Sequence, residues 1–166
     1  MSAAGDEVVR LAFEPMRGGD VALVGTMERR NYPFPWSDGI FRDCLKAGYT
    51  CELLRLDGEL AGYGILQTGA EEGHILNLCV DEPHQRRGFA RLMLEHLIGR
   101  AAREGARVVF LEVRPSNPRA KLLYERAGFN EIGVREGYYE AAGAREDAIV
   151  MARSLLGPES EPVELH

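Results

Sequence analysis

The chain has 166 residues, long enough for one domain with a real core, and its 45% hydrophobic and 28% charged residues read as a soluble globular protein. No apolar run reaches the roughly 18 residues of a membrane span, and Met1 to Glu7, small and acidic, does not resemble a signal peptide. A net charge of −6 argues against broad nucleic-acid binding and suits a cationic partner.

The first expected helix runs from Asp20 to Arg30. Asn31-Tyr32-Pro33-Phe34-Pro35-Trp36 cannot continue it, because two prolines restrict themselves and the residues before them. Ser37 then caps a helix reaching about Ala47, with Trp36 and Phe41 as a hydrophobic staple. Thr50 to Leu56 and Leu60 to Gln67 read as strands joined at Asp57-Gly58, a hairpin signal. Gly69 to Gly73 turns the chain into the strand His74 to Val80, and Asp81-Glu82-Pro83 breaks it. Gln85-Arg86-Arg87-Gly88-Phe89-Ala90 opens a long helix whose apolar positions are Phe89, Leu92, Met93, Leu97 and Ala101. Arg107 to Arg114 is a strand with Val108 and Phe110 on one face and Val109, Leu111 and Val113 on the other, which predicts a central, covered position. Asn117 and Pro118 start another helix, and Gly128 ends it. Phe129 to Val134 and Asp147 to Ala152 are the last strands, with Glu136 to Glu146 a loop or hairpin end. Gly157 to His166 reads as a frayed acidic tail. There is no repeat or linker, so residues 1–156 are expected to form a single domain.

The run from Gln85 to Arg91 carries the strongest chemical signal. The first turn of a helix exposes unpaired N–H groups and the positive end of the dipole, which together bind phosphate. Gly88 makes sense there if a ligand approaches the backbone closely, and Arg86, Arg87 and Arg91 add positive charge. The competing reading is a solvated basic helix start. Neither a P-loop nor a G-x-G-x-x-G after a strand is present.

Glu112 is the first candidate for chemistry. It shares a face with Val108 and Phe110 in an otherwise apolar strand, and burial would raise its pKa and make it a better base. The alternative is a carboxylate at the strand's open end paired with an arginine. Tyr124 could donate a proton to a leaving group, or be a core tyrosine with its hydroxyl held by backbone. Asn117 is a helix cap under either reading. Cys79 reads as a buried, inert thiol. Cys44, Cys51 and Cys79 are odd in number and lack zinc spacing, so reduced thiols in a cytoplasm are expected. His74, His84, His96 and His166 show no metal-ligand spacing, and structural or surface roles are expected for each.

The run Gln85 to Ala90 resembles the acetyl-CoA signature Q/R-x-x-G-x-G/A of the Gcn5-related N-acetyltransferases. Five further segments resemble one branch of that family, the bacterial RimI-type N-terminal alanine acetyltransferases. They are Tyr32-Pro33-Phe34-Pro35-Trp36-Ser37, Leu76-Asn77-Leu78-Cys79-Val80, Leu111-Glu112-Val113-Arg114-Pro115-Ser116-Asn117, Leu123-Tyr124-Glu125-Arg126-Ala127-Gly128-Phe129 and Arg145-Glu146-Asp147-Ala148-Ile149-Val150-Met151. The resemblance spans about Tyr32 to Ala152. It implies a mixed α/β (α+β) fold, with a twisted, mostly antiparallel central sheet flanked by helices. It also implies acetyl transfer from acetyl-CoA, without a metal, to the N-terminal alanine of small-subunit ribosomal protein S18.

By this resemblance Glu112 accepts a proton and Tyr124 donates one. Backbone of Leu78, Cys79 and Val80 and of Arg86, Arg87, Gly88, Phe89, Ala90 and Arg91 binds acetyl-CoA, with Asn117 at a further cofactor contact. Trp36, Tyr138 and Tyr139 flank the acceptor peptide. The departures are mild: Cys79 stands where a small residue is common, Ala90 where glycine is commonest, and Pro115 precedes Ser116. The expected partner is a protein N-terminus in the cytoplasm, with no direct nucleic-acid or membrane partner. Oligomeric state stays open, a monomer being compatible. Two other readings stay open: the same fold acting on a lysine side chain, a polyamine or another small amine, and a non-catalytic acetyl-CoA-binding module.

Overall fold

The sheet that organises the molecule forks in its middle, and its strand order places the fork beside Glu112. The structure is a computed structural model and describes residues 8–156; Met1 to Glu7 and the acidic tail expected at 157–166 lie outside the described residues. In chain order the elements are β1 (Leu11–Pro15), α1 (Val21–Asn31), α2 (Asp38–Lys46), β2 (Thr50–Leu56), β3 (Glu59–Gly69) and β4 (Glu72–Val80). Then follow α3 (Phe89–Arg103), β5 (Val108–Val113), α4 (Pro118–Arg126), β6 (Asn130–Ala141) and β7 (Ala144–Ser154). The seven strands form one sheet in the order β1-β2-β3-β4-β5-β7-β6. Only the β4–β5 pair is parallel; the other five are antiparallel. This is the mixed, mostly antiparallel sheet expected from the resemblance.

Local chemistry explains most boundaries. Ser37 Oγ accepts the Ile40 N–H at 3.3 Å, and Trp36 packs on Phe41 with ring centroids 5.3 Å apart. Asp57 and Gly58 both have positive φ, 50° and 83°, as a two-residue primed hairpin turn requires. The next hairpin turns more tightly than expected. Ala70 and Glu71 take up the left-handed conformation themselves, at φ 52° and 63°, so β3 and β4 pair out to Gly69 and Glu72. The strand β1 has no counterpart in the sequence reading. It is a five-residue edge strand ending in Pro15, too short for a clear period of two.

The stretch Glu136 to Glu146, expected as a loop or hairpin end, is the end of the last hairpin. Tyr138 and Tyr139 lie within strand β6, not in a loop, and only Ala142 and Gly143 separate β6 from β7. Glu136, Gly137 and Tyr138 form a bulge, because Arg135 pairs with Ala148 and the next registered pair is Tyr139 with Glu146. Asp147 and Arg145 hold the bulge: Gly137 N–H donates to Asp147 Oδ1 at 2.9 Å, and Arg145 donates to the carbonyls of Gly137 and Tyr138.

Apolar side chains cover both faces of the sheet. On one face α3 and α4 bury Met93, Leu94 and Leu97 against Val109, Leu111 and Phe129. Gly64 lets α3 lie close to the sheet, since a Cβ there would come within 2.7 Å of Leu97 Cδ1 and force that side chain to shift. Leu92 does not join this stripe and is exposed. On the other face α1 and α2 bury Val21, Val24 and Phe41 against Leu53, Tyr63 and Cys79. Strand β5 is central as expected, but its Val108–Phe110 face is only half covered.

One buried polar cluster ties α1 to the end of β4. Asp81 accepts Arg30 Nη2 at 2.5 Å and Nε at 3.1 Å, Asn31 Nδ2 at 2.8 Å and the Glu82 N–H at 3.1 Å. Burial alone would raise its pKa, but the hydrogen bonds from Arg30 and Asn31 outweigh it and hold the carboxyl below its ordinary value. The resulting stabilisation is complete above the unfolded value of about 4 and is lost as pH falls through the lower folded value. Asp81→Ala is expected to cost about 2 kcal/mol at pH 7, a fall of about 5 °C in Tm. Thermal unfolding at pH 7 and near pH 3 tests this; an equal difference at both would rule out the charged form as the source.

Candidate active site

Strands β4 and β5 pair over four rungs only, from Glu72–Val108 to Ile75–Leu111. There the β3–β4 ladder slips: Leu66 pairs with Ile75 and Ile65 with Asn77, which leaves Leu76 as a bulge. A bulge bends its strand and increases local twist, so the rest of β4 turns away with β3 while Glu112 and Val113 stay with β7. The fork opens a cavity of about 710 Å³. Its wall includes Trp36, Leu78, Glu112, Asn117, Tyr124 and Tyr139. Cys79, Val80, Tyr138 and the turn from Arg86 to Arg91 are not on that wall.

The free edge of β4 presents backbone polar groups to the fork. Asp81 N–H donates to Ala61 O, so residues 81, 79 and 77 turn their N–H and C=O toward β3 and the residues between turn theirs outward. The outward carbonyls are occupied: Leu78 O by the Tyr32 hydroxyl at 2.7 Å, and Val80 O by Gln85 Nε2 at 2.8 Å. The outward N–H groups therefore belong to Leu78 and Val80, and that of Cys79 serves the sheet. Of the three residues expected to meet a ligand through backbone, Cys79 has its polar groups turned into the sheet.

Glu112 combines both readings made from its sequence. Its side chain is 6% exposed, and it is also paired, with Arg135 Nε at 3.3 Å and His74 Nε2 at 2.5 Å. The sequence held no sign of His74 or Arg135, because strand register decides which side chains meet. Tyr124 enters from α4. Among the described residues its hydroxyl has no hydrogen-bond partner, so the backbone-held alternative does not apply. Burial pushes it up to about 12. Asn117 caps α4, its Oδ1 accepting Ala120 N–H at 3.2 Å. Burial also pushes the Cys79 thiol up to about 12, so it is not a nucleophile near neutral pH.

The opposite wall was not foreseen. Glu28 is 3% exposed and accepts from the Tyr63 hydroxyl at 2.6 Å, Asn77 Nδ2 at 3.0 Å and the Trp36 N–H at 2.9 Å. It fixes the Pro-Trp segment against β3 and β4. Its spacing of four and seven residues from Val24 and Val21, on the buried stripe of α1, was the available signal. Arg114 bridges the two lips. Its guanidinium lies 4.2 Å from the Tyr139 ring centroid and 5.3 Å from that of Phe34, and it donates to Glu146 at 3.2 Å. No group of three or more His, Cys, Asp or Glu among the described residues could hold a metal ion.

Residues 22–129 match the family described as acetyltransferase (GNAT). The chain belongs to that family. It is 40% identical over 133 residues to the [ribosomal protein bS18]-alanine N-acetyltransferase of Escherichia coli strain K12, covering 80% of this chain and 90% of that protein. The Haemophilus influenzae enzyme of the same name is 35% identical over 127 residues, 76% of this chain and 86% of the relative. The crystal structure of the E. coli ribosomal-protein-S18-alanine N-acetyltransferase superposes with a TM-score of 0.81 at 35% identity, covering 92% of this chain and all of that one.

In this acetyltransferase the signature turn leads from β4 to α3. Gly88 is the residue before the helix, not part of its first turn, and has φ 84° in the left-handed region. Having no side chain, it leaves the first N–H groups of α3 uncapped. Arg86 also has positive φ, 64°. Arg86 and Arg87 are exposed, Arg87 stacking 5.1 Å from the Phe89 ring, whereas Arg91 is engaged with Glu95 and the Arg126 carbonyl.

Proposed function

We propose that this acetyltransferase moves the acetyl group of acetyl-CoA to the α-amino group of an N-terminal alanine, that of small-subunit ribosomal protein S18. The observation that carries this reading is the convergence of a buried carboxylate and an unpartnered phenol on one cavity at the open edge of β4. The names of the relatives at 35–40% identity supply the acceptor.

The residues present fit acetyl-CoA. The uncapped start of α3 and the Arg86–Arg87 side chains suit a pyrophosphate, and the outward N–H groups of Leu78 and Val80 suit amide and thioester carbonyls. Asn117, the cap of α4, and Tyr124, two turns further along that helix, line the path between. The acceptor N-terminus enters between Trp36 and the Tyr138–Tyr139 segment of β6. Its ammonium, with a reference pKa of about 8, gives a proton to Glu112, directly or through water. The amine attacks the thioester carbonyl, whose oxygen gathers charge toward the Val80 N–H. The carbon–sulfur bond breaks, Tyr124 donates its hydrogen to the departing thiolate, and the phenolate takes back, directly or through water, the second proton that the nitrogen sheds as it becomes an amide. Holding two substrates at one fork supplies proximity as well.

Mass spectrometry tests the reading on an Ala-starting peptide of the organism's own S18, incubated with enzyme and acetyl-CoA beside an N-terminally blocked copy with its lysines intact. One acetyl group on the free N-terminus only is expected. Transfer to lysine or a small amine instead would replace the acceptor. Binding of acetyl-CoA with no transfer to any amine would replace the enzyme by a binding module.

A further inference from the structure

Each oxygen of Glu112 has a neighbour: His74 Nε2 hydrogen-bonds with Oε2, and the Arg135 guanidinium is ion-paired with Oε1, its Nε 3.3 Å away. His74 sits on β4 one rung before the strands part. It pairs with Phe110 and so shares the face of Glu112. It is not on the cavity wall, and its side chain is 31% exposed against 6% for Glu112. The imidazole thus stands behind the carboxylate, between it and solvent.

A carboxylate oxygen and an imidazole nitrogen 2.5 Å apart must share a hydrogen, since two facing lone pairs would repel. With Glu112 ionised, as a base must be, that hydrogen sits on Nε2, and Nδ1 is where the ring gains or loses its second one. The other groups facing this pair are Arg135, Tyr138 and Tyr139 of β6, and Gln67, the β3 partner of His74. Burial and the Glu112 charge raise both phenols, which stay neutral, and Gln67 has no charge. Among these side-chain types only an imidazole changes charge between about pH 5 and 8. With Nδ1 protonated, two cations face Glu112 and weaken it as a base. With Nδ1 bare, one cation remains.

We propose that His74 is a positioning residue that governs when Glu112 can act as a base: its Nε2–H aims the carboxylate, and loss of its Nδ1 proton releases that carboxylate to take up the proton of the acceptor ammonium. The N–H bond of the ammonium breaks, the O–H bond forms on Glu112, and that proton later leaves to water. His74 ends as it began. The proposal rests on the reading of Glu112 as proton acceptor.

The test is the kcat–pH profile of wild type, His74→Gln, His74→Leu and Glu112→Gln on the S18 peptide. Glutamine keeps a donor but has no titrating proton. His74→Gln is expected to flatten the acid limb of the profile, so that it keeps a several-fold larger share of its plateau rate at low pH than wild type does. Its KM for acetyl-CoA should not change. His74→Leu, with no donor, is expected to lose about tenfold in plateau kcat, and glutamine to restore it. A wild-type limb in His74→Gln, or a wild-type plateau in His74→Leu, overturns the proposal. Should Glu112→Gln keep the wild-type rate and profile, the reading of Glu112 itself falls; should it lose rate while His74→Gln titrates as wild type, only the role of His74 falls. NMR of the His74 ring gives a readout without turnover: its pH-dependent chemical shifts are expected to differ between wild type and Glu112→Gln, and superimposable curves overturn the coupling.

Discussion

Glu112→Gln is expected to lower kcat by about 10²- to 10³-fold at pH 7 with little change in KM for acetyl-CoA. About tenfold of this follows from the acceptor alone, because an α-amino group of pKa about 8 is roughly nine-tenths protonated at pH 7. The rest is the loss of a base already in place beside the bound ammonium. An amide has no basic lone pair to take that proton. It also suits the neighbours of the carboxylate less well: an amide carries no charge to pair with Arg135, and only its oxygen, not its NH₂, can accept from His74 Nε2–H. The mismatch costs about 1 kcal/mol, a fall of about 2–4 °C in Tm, so the variant should stay folded at assay temperature. The distinguishing measurement is the slope with pH. The variant depends on amine already deprotonated in solution, so its rate should climb through pH 8 to 9 where the wild type has levelled off. A variant profile parallel to wild type would remove Glu112 from proton transfer and leave it an ion-paired residue of the fork.

Side chains that act through their own strand or helix could be read from the sequence, and those that act across strands could not. Glu112 stood out because a carboxylate interrupts an apolar strand, and Asn117 and Gly128 because caps are local. The Gln85–Arg91 turn stood out for the same reason, although glycine's place just before the helix depends on a left-handed φ that spacing does not specify. His74, Arg135 and Asn77 were silent, since each gains its partner from strand register or from the bulge at Leu76. The Tyr138–Tyr139 segment reads as a loop or hairpin end because Glu136 and Gly137 are poor strand formers. Its strand survives through Arg145 and Asp147 on the neighbouring strand, contacts that no window of local sequence contains. The fork follows the same logic. Nothing in the residues of β4 or β5 alone says that they part after four rungs; the slip in the ladder with β3 decides it.

Tyr124→Phe is expected to lower kcat by about 10- to 10²-fold while leaving the fold intact. The expectation of an intact fold is specific to this site. A buried tyrosine usually holds a partner that its loss would strand, but the Tyr124 hydroxyl has none among the described residues, and its ring packs on Phe129 at a centroid distance of 6.0 Å in either variant. Tm should therefore move by no more than about 2 °C. With its pKa pushed up to about 12 by burial, the phenol remains protonated across the working range. The variant's pH profile should then keep the wild-type shape at a lower height, unlike those of Glu112→Gln and His74→Gln. The height itself should depend on the leaving group. A phenol that hydrogen-bonds a departing thiolate matters less when the thiolate is already stable, so an acetyl thioester of a more acidic thiol should narrow the gap between wild type and variant. A gap that is the same for both thioesters would mean that Tyr124 positions the acyl donor without assisting sulfur departure. An unchanged kcat in single-turnover experiments, where chemistry limits, would mean that the hydroxyl takes no part at all.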